Sequence, residues 1–306
     1  FYMITTLTIA SRESPLAMWQ AEHIKKSIQA LYPLININIE GFKTQGDILL
    51  DQSLATIGGK GLFIKELEHA LLTNKADLAV HSMKDLPMDI PKEFKLAVIT
   101  ERGDPRDAFI SNQYDSLEAL PPGSIVGTSS LRRQSQIQAK FPKLKILPLR
   151  GNLQTRLKKL DEKNYDAIIL AAAGLIRMGL KERIKLYIDS TSSIPAVGQG
   201  ALGIEILENN TELLNLIEPL NNDITSRCVL AERTVSRSLA GSCTVPLGAH
   251  ATIKGNKIYI RGFVATPDGS QIIFSETNGP SDNPENVGQK LSQLLIAKGA
   301  KKILSL

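Results

Sequence analysis

A chain of 306 residues, 42% hydrophobic and 22% charged, is long enough for roughly two or three folded domains and too apolar for wholesale disorder. Its two cysteines, Cys228 and Cys243, exclude a disulfide framework and a multi-cysteine metal site. A net charge of +5 points to an anionic partner, but aromatics are 5% of the chain and do not interleave with the basic residues, which argues against nucleic acid.

Residues 7–10 read as a short strand. Ser11-Arg12-Glu13-Ser14-Pro15 then opens a helix, with Ser14 as N-cap and Pro15 at the first helical position. Ala17, Ala21, Ile24, Ile28 and Leu31 share one face of it. Ile35, Ile37 and Ile39 alternate with polar residues, the period of a half-buried strand. Residues 44–61 carry four glycines and few apolar anchors, so a mobile lid is expected there, with Lys60 and Phe63 at its end. Residues 62–74 form an amphipathic helix. A strand at 78–80 ends in His81-Ser82-Met83-Lys84-Asp85, and another covers 96–100.

The polar stretch 101–107 suits a crossing between domains. The pattern then repeats. Residues 124–127 are a strand, and Thr128-Ser129-Ser130 opens a helix carrying Arg132 and Arg133. Residues 145–149 are a strand closing on Arg150; Leu153, Leu157 and Leu160 mark a helix; 167–171 is a strand. The longest apolar run, 167–176, is broken by Gly174 and stopped by Arg177, about half of what a membrane span needs. A glycine-rich return at 194–203 leads into a strand, 202–206, assigned to the first unit. A chain that leaves one α/β unit, builds a second and returns makes a two-lobed cleft with two hinge segments. A small α+β unit follows: a helix with Ile224, Cys228, Ala231 and Val235 on one face, strands at 249–254, 257–265 and 271–276, and a helix at 284–298. No basic segment followed by an apolar one opens the chain, so a cytoplasmic location is expected.

Two nucleotide motifs fail. Gly58-Gly59-Lys60-Gly61 has Leu54 where a phosphate loop needs glycine and Gly61 where it needs a hydroxyl. Gly198-Gln199-Gly200-Ala201-Leu202-Gly203 is followed by a strand rather than a helix, so these glycines suit a hinge. His23, His69, His81 and His250 have no metal-ligand spacing, and no metal is expected. His81 reads as a hydrogen-bonded structural histidine. Lys84-Asp85 in isolation is an ordinary solvated ion pair. Its place at the carboxyl end of an α/β strand is where crevice ligands bind, and a carboxylate there can handle a proton-bearing part of a substrate. Val126-Gly127-Thr128-Ser129-Ser130-Leu131-Arg132-Arg133 is the stronger signal. Helix N–H groups, hydroxyls and guanidinium forks all favour a carboxylate or phosphate. Arg12, Lys84, Arg150, Arg156 and Arg177 recur in comparable places, which implies a polyanionic ligand.

With these residues in hand, the chain resembles the porphobilinogen deaminase (hydroxymethylbilane synthase) family nearly end to end. The resemblance rests on Ser11-Arg12-Glu13-Ser14-Pro15-Leu16-Ala17, Gly58-Gly59-Lys60-Gly61-Leu62-Phe63, Val80-His81-Ser82-Met83-Lys84-Asp85-Leu86-Pro87, Gly127-Thr128-Ser129-Ser130-Leu131-Arg132-Arg133, Leu149-Arg150-Gly151-Asn152, Gln199-Gly200-Ala201-Leu202-Gly203 and Gly241-Ser242-Cys243. It implies two periplasmic-binding-protein-like α/β domains, 3–100 with 200–218 and 105–194, and a small α+β domain, 222–306. It implies condensation of four porphobilinogen molecules into hydroxymethylbilane with loss of ammonia. It implies a dipyrromethane cofactor held by a thioether at Cys243, and a monomer that binds neither nucleic acid nor membrane.

By the same resemblance, Arg12, Ser14, Lys84, Ser130, Arg132, Arg133, Arg150 and Arg156 bind carboxylates of cofactor and substrate, and Arg177 binds or guides the growing chain. Asp85 is the catalytic carboxylate: it engages pyrrole N–H groups, assists ammonia loss and stabilises a positive azafulvene-like intermediate. Truncating Arg132 or Arg133 is expected to impair binding rather than folding. Cys228 reads as a buried core cysteine. Thr56 stands where family members often carry lysine. Two other classes compete. A non-catalytic anion-binding protein has no use for Cys243, and a nucleic-acid-binding protein predicts a contiguous basic face.

Overall fold

Alternating apolar residues and well-placed caps build the first sheet. The computed structural model describes residues 4–49, 61–239 and 245–305. Strand β1 (Thr6–Arg12) buries Leu7 and Ile9, and helix α1 (Pro15–Leu31) covers them with Ala21, Ile24 and Ile28. Ser14 caps α1 by accepting the Ala17 N–H, and Pro15 begins it, as the sequence indicates. Leu31 leaves the predicted stripe and is 47% exposed, because the helix ends there. Next come β2 (Asn36–Phe42), α2 (Gln45–Ile48), α3 (Lys65–Leu72), β3 (Leu78–Ser82) and β4 (Phe94–Ile99).

The start of the predicted lid is therefore ordered. Thr44 and Asp47 form a capping box around α2, satisfying N–H groups that a bare turn would leave open. The rest of that segment, including Thr56 and Lys60, lies outside the described residues.

The chain then enters β5 (Asp107–Ile110) and continues through β6 (Ile125–Gly127), α4 (Leu131–Lys140), β7 (Lys145–Leu147), α5 (Leu153–Asp161), β8 (Ala167–Ala171), α6 (Ala172–Arg177) and β9 (Leu186–Ile188). It returns as β10 (Leu202–Leu207) and α7 (Thr211–Ile217). The last part is α8 (Asp223–Ser238), β11 (Leu247–Lys254), β12 (Lys257–Ala265), β13 (Ile272–Pro280), α9 (Pro284–Ala297) and α10 (Ala300–Leu304). The sequence pattern does not reveal β5 and β9, nor the short helices α2, α6, α7 and α10. The first two are short strands recruited by pairing with β8 and with each other rather than by their own pattern.

The sheets are ordered β2-β1-β3-β10-β4 and β7-β6-β8-β5-β9, with β11-β12-β13 as a separate three-stranded meander. The two five-stranded sheets repeat one plan. Three parallel strands stand side by side, and the fourth, β10 or β5, runs antiparallel. In each sheet that antiparallel strand is the first laid down after the chain crosses over. The fold is thus α/β, with two sheet-and-helix domains and a small α+β part. By compactness the chain divides into Phe1–Arg102 with Ala201–Ser226, and Gly103–Gly200 with Arg227–Leu306.

In the first unit Thr100 N–H donates to Leu202 O at 3.0 Å; in the second, Gly103 N–H donates to Gly200 O at 2.9 Å. Gly200 has φ +90°, and a Cβ there would stand 2.9 Å from Gly103 O and 3.0 Å from Asp104 O, both backbone atoms. Gly200→Ala is therefore expected to cost about 2–4 kcal/mol, combining left-handed strain with overpacking. A fall in the denaturant midpoint checks it; an unchanged midpoint would show that the crossing relaxes freely.

Candidate functional site

In the first unit the expected site residues Arg12, Lys84 and Asp85 sit where parallel strands end. Arg12 closes β1, and its guanidinium forms an ion pair with Asp47 and lies 4.4 Å from the centroid of the Phe63 ring. Burial would raise the Asp47 carboxyl. Hydrogen bonds from Arg12 and Thr44, with the Arg12 charge, hold it below the usual carboxylate range instead. Sequence reading missed Asp47; the Thr44-x-x-Asp47 spacing of a capping box was the signal available.

The neighbouring strand β3 carries Lys84 and Asp85 on a single 3-10 turn, Met83–Asp85. Both sides of that turn are anchored. Ser82 Oγ donates to Gln20 Oε1 at 3.0 Å, Met83 N–H donates to Ala201 O at 2.9 Å, and Met83 and Leu86 are fully buried. Asp85, between them, is exposed and makes no hydrogen bond or ion pair among the described residues. Held out by apolar anchors, its carboxylate can meet a ligand without moving backbone. His81 is the structural histidine expected: it is buried, with Nε2 3.0 Å from Glu205 Oε1.

In the second unit the β6–α4 and β7–α5 connections are tied together. Ser129 Oγ donates to Leu149 O at 3.0 Å and accepts the Leu149 N–H at 2.9 Å. Ser130 caps α4 by accepting the Arg133 N–H, and Asn152 caps α5 by accepting the Thr155 N–H. Arg150 and Arg156 flank this pair of helix starts, and Arg156 Nε donates to Gly151 O at 2.8 Å. Helix N–H dipoles, a hydroxyl and two guanidiniums on one sheet edge favour carboxylates. Arg177 ends α6 and donates to Gly200 O at 2.7 Å; burial pushes its guanidinium down to about 10.

Arg132 and Arg133, expected to bind ligand carboxylates, lie against a carboxylate of the chain itself. Both are 6% exposed and close on Asp107, which is fully buried in β5. Arg132 grips the carboxylate through both terminal nitrogens, at 2.8 and 3.0 Å, and Arg133 Nε reaches it at 3.0 Å. Ser193 Oγ and Gln199 Nε2 donate to the same carboxylate at 2.7 and 3.0 Å. Burial would raise Asp107. The two guanidinium charges, with hydrogen bonds from Arg132 and Ser193, hold it far below the usual range. These bonds tie the pair into the buried frame, so truncating either arginine would also strand part of the Asp107 cluster. Asp107 ends the polar stretch 101–107; the apolar Ala108-Phe109-Ile110 directly after it is what marks it as the start of a strand.

Cys228 is buried on α8 beside Val229 and Ala231, while Ile224, expected on the same face, is 60% exposed. Cys243 and Lys60 lie outside the described residues. Among the described residues no group of His, Cys, Asp and Glu could hold a metal ion, and no helix is long and apolar enough to cross a membrane.

Comparison with known proteins places this geometry. Residues 7–215 match the family model described as porphobilinogen deaminase, dipyromethane cofactor binding domain, and 226–297 match the porphobilinogen deaminase C-terminal domain. A porphobilinogen deaminase of Thiobacillus denitrificans is 59% identical over 299 residues, covering 98% of each chain. One of Methylobacillus flagellatus is 60% identical over 300 residues, covering 98% of this chain and 97% of the relative. Among solved structures, the methionine-binding protein MetQ aligns with a TM-score of 0.47 at 15% identity, over 71% of this chain and 90% of that one.

Asp107→Asn should destabilise the protein by about 3–5 kcal/mol, because it strands two buried guanidiniums. The sign with pH follows from the depressed carboxyl. Its contribution is present above the unfolded value near 3.9 and is lost as pH falls towards the folded one. Urea unfolding from neutral to acid pH should therefore show the variant and the parent converging as pH drops. A constant gap would assign the loss to another cause.

Proposed function

Because the chain belongs to the porphobilinogen deaminase family, we propose how its residues divide that family's work. The reaction is that of a hydroxymethylbilane synthase, a transferase of tetrapyrrole biosynthesis that joins four porphobilinogen molecules head to tail and releases ammonia. Each porphobilinogen carries an acetate and a propionate, so a growing chain is a polycarboxylate. The observation that carries the assignment is the clustering of N–H donors and cations at the carboxyl edges of both five-stranded sheets, with one anchored, outward carboxylate, Asp85, on the turn after β3.

Arg12, Ser14 and Lys84 in the first unit, and Ser130, Arg150, Arg156 and Arg177 in the second, are assigned to ligand carboxylates. Arg132 and Arg133 join them through those of their five guanidinium N–H groups that Asp107, Ile194, Ile169 and Gln199 leave over. Lys60 and Phe63 are assigned to closure over the ligand; Phe63 already serves as the platform under Arg12. This donor set suits a dipyrromethane, whose side chains are carboxylates, and the family model is named for binding one. When bound, that group supplies the nucleophilic pyrrole end on which the product is built. Cys243 is assigned as its thioether anchor. The burial of Cys228 in α8 supports this choice. Asp85 holds the pyrrole N–H groups and offsets positive charge as ammonia departs. A cytoplasmic monomer with working domains 3–100 plus 200–218, 105–194 and 222–306 completes the reading.

Asp85→Asn removes a charge but little volume, so turnover should fall at least about 100-fold in a folded protein. Steady-state kinetics decide it, and near-normal kcat refutes the catalytic assignment. Cys243→Ser should lose the added pyrrole mass and the activity, while Cys228→Ser keeps both. Intact-protein mass and peptide mapping that put the adduct elsewhere overturn the anchor.

A further inference from the structure

The first unit holds a second group of ionisable side chains, outside the set that meets the ligand. Glu205 lies in β10 and is fully buried. Its Oε1 is 3.0 Å from Nε2 of His81, on the neighbouring strand β3. Its carboxyl also lies within hydrogen-bonding reach of Glu68, on α3. Yet Glu205 Oε2 and Glu68 Oε1 are both sealed from solvent without a donor among the described residues. Ionised carboxylates offer only acceptors. Two of them in contact would orphan both oxygens and set like charges together where water does not reach those atoms. One proton placed between them turns the contact into a hydrogen bond and removes one charge.

We propose that Glu68 holds a proton and donates it to Glu205, and that this contact, bonded on through Glu205 to His81, is a proton-dependent pin that positions the end of β3 carrying Lys84 and Asp85. The connection is short in the chain, since His81 stands four residues before Asp85. It is also mechanical. Helix α3 packs Leu67, Ala70 and Leu71 on Ala10 of β1 and Ala79 of β3, and the carboxyl pair joins that helix to β10 and, through His81, to the strand that delivers the turn. The charged groups around Glu68 act in both directions. Glu205 and Glu93 repel its anion, and Lys65, on the same helix, attracts it. Burial first, then the Glu205 charge and hydrogen bond, push Glu68 up to about 7, so the proton leaves within a physiological range.

The direction with pH is set by that rise. Below the unfolded value the pair contributes fully to stability; the contribution is lost as pH climbs through the folded value. Glu68→Gln supplies a permanent N–H in place of the proton. The melting temperature of wild type should fall relative to Glu68→Gln by several degrees between about pH 5 and 8. Infrared spectra of wild type should show a protonated-carboxyl band at mildly acid pH that disappears on titration through neutrality. Glu68→Gln and Glu205→Gln should both lack it. Parallel melting curves for wild type and Glu68→Gln, or no titrating band in wild type, overturn the proposal. The wild-type spectrum decides even if a variant fails to fold. The functional weight of the pin rests on the assignment of Asp85, but its proton does not. An active Asp85→Asn that keeps the band would sink that assignment alone, and a missing band would sink the pin alone.

Discussion

A carboxylate closed off from water sits between two guanidiniums where the chain enters its second sheet. Asp107 begins β5, Arg132 and Arg133 lie in the first turn of α4, and Ser193 and Gln199 belong to the returning segment. Three stretches distant in sequence are thus held by one charge. The arrangement is favourable only when complete, because the desolvation of each ion is offset by the others and not by solvent. It also sets the orientation of α4, whose N-terminal N–H groups and Ser130 face the edge of the sheet where β6, β7 and β8 end. The Arg132 and Arg133 side chains that looked most like ligand contacts are therefore first of all the frame that holds α4 in place.

The two five-stranded sheets solve the same problem in parallel. In each, parallel strands stop along one edge, the next helices start there, and small polar residues cap them. Helix dipoles supply part of the positive field and arginines the rest. In the first unit a single turn after β3 departs from that pattern by presenting a carboxylate. Buried Met83 and Leu86 hold the backbone on either side of Asp85, so orientation comes from apolar packing and leaves the charged group outward. Separating the anchoring from the chemistry limits what must reorganise when a ligand arrives.

Buried ionic groups do two different jobs in this chain. Around Asp107 the charges are of opposite sign and the carboxylate takes five hydrogen bonds, which makes a fixed frame. Around Glu205 the neighbouring carboxyl is of like sign, and the balance depends on a proton. The first arrangement resists pH change near neutrality and the second responds to it, because the former's carboxyl is held far from neutrality and the latter's is brought close to it.

The sequence alone determined the α/β repeat, the cap at Ser14, the opening of α4 at Ser130, the placement of β10 in the first sheet and the family, since these rest on local spacing and on motifs contiguous in the chain. It also read Cys228 as a buried core cysteine and marked His81 as structural. Tertiary structure decided what Asp107, Asp47 and Glu205 do. Each is a carboxylate whose partners come from other elements, and an isolated Asp or Glu in a strand or turn carries no sign of them. The short strands β5 and β9 were hidden for the same reason: at four and three residues their own periodicity is too brief to register, and pairing within the sheet supplies their stability. Arg132 and Arg133 show the limit most clearly. Their charge was legible from the sequence, but whether that charge faces a ligand or a buried carboxylate depends on which strand lies beneath the helix, and only the fold brings Asp107 there.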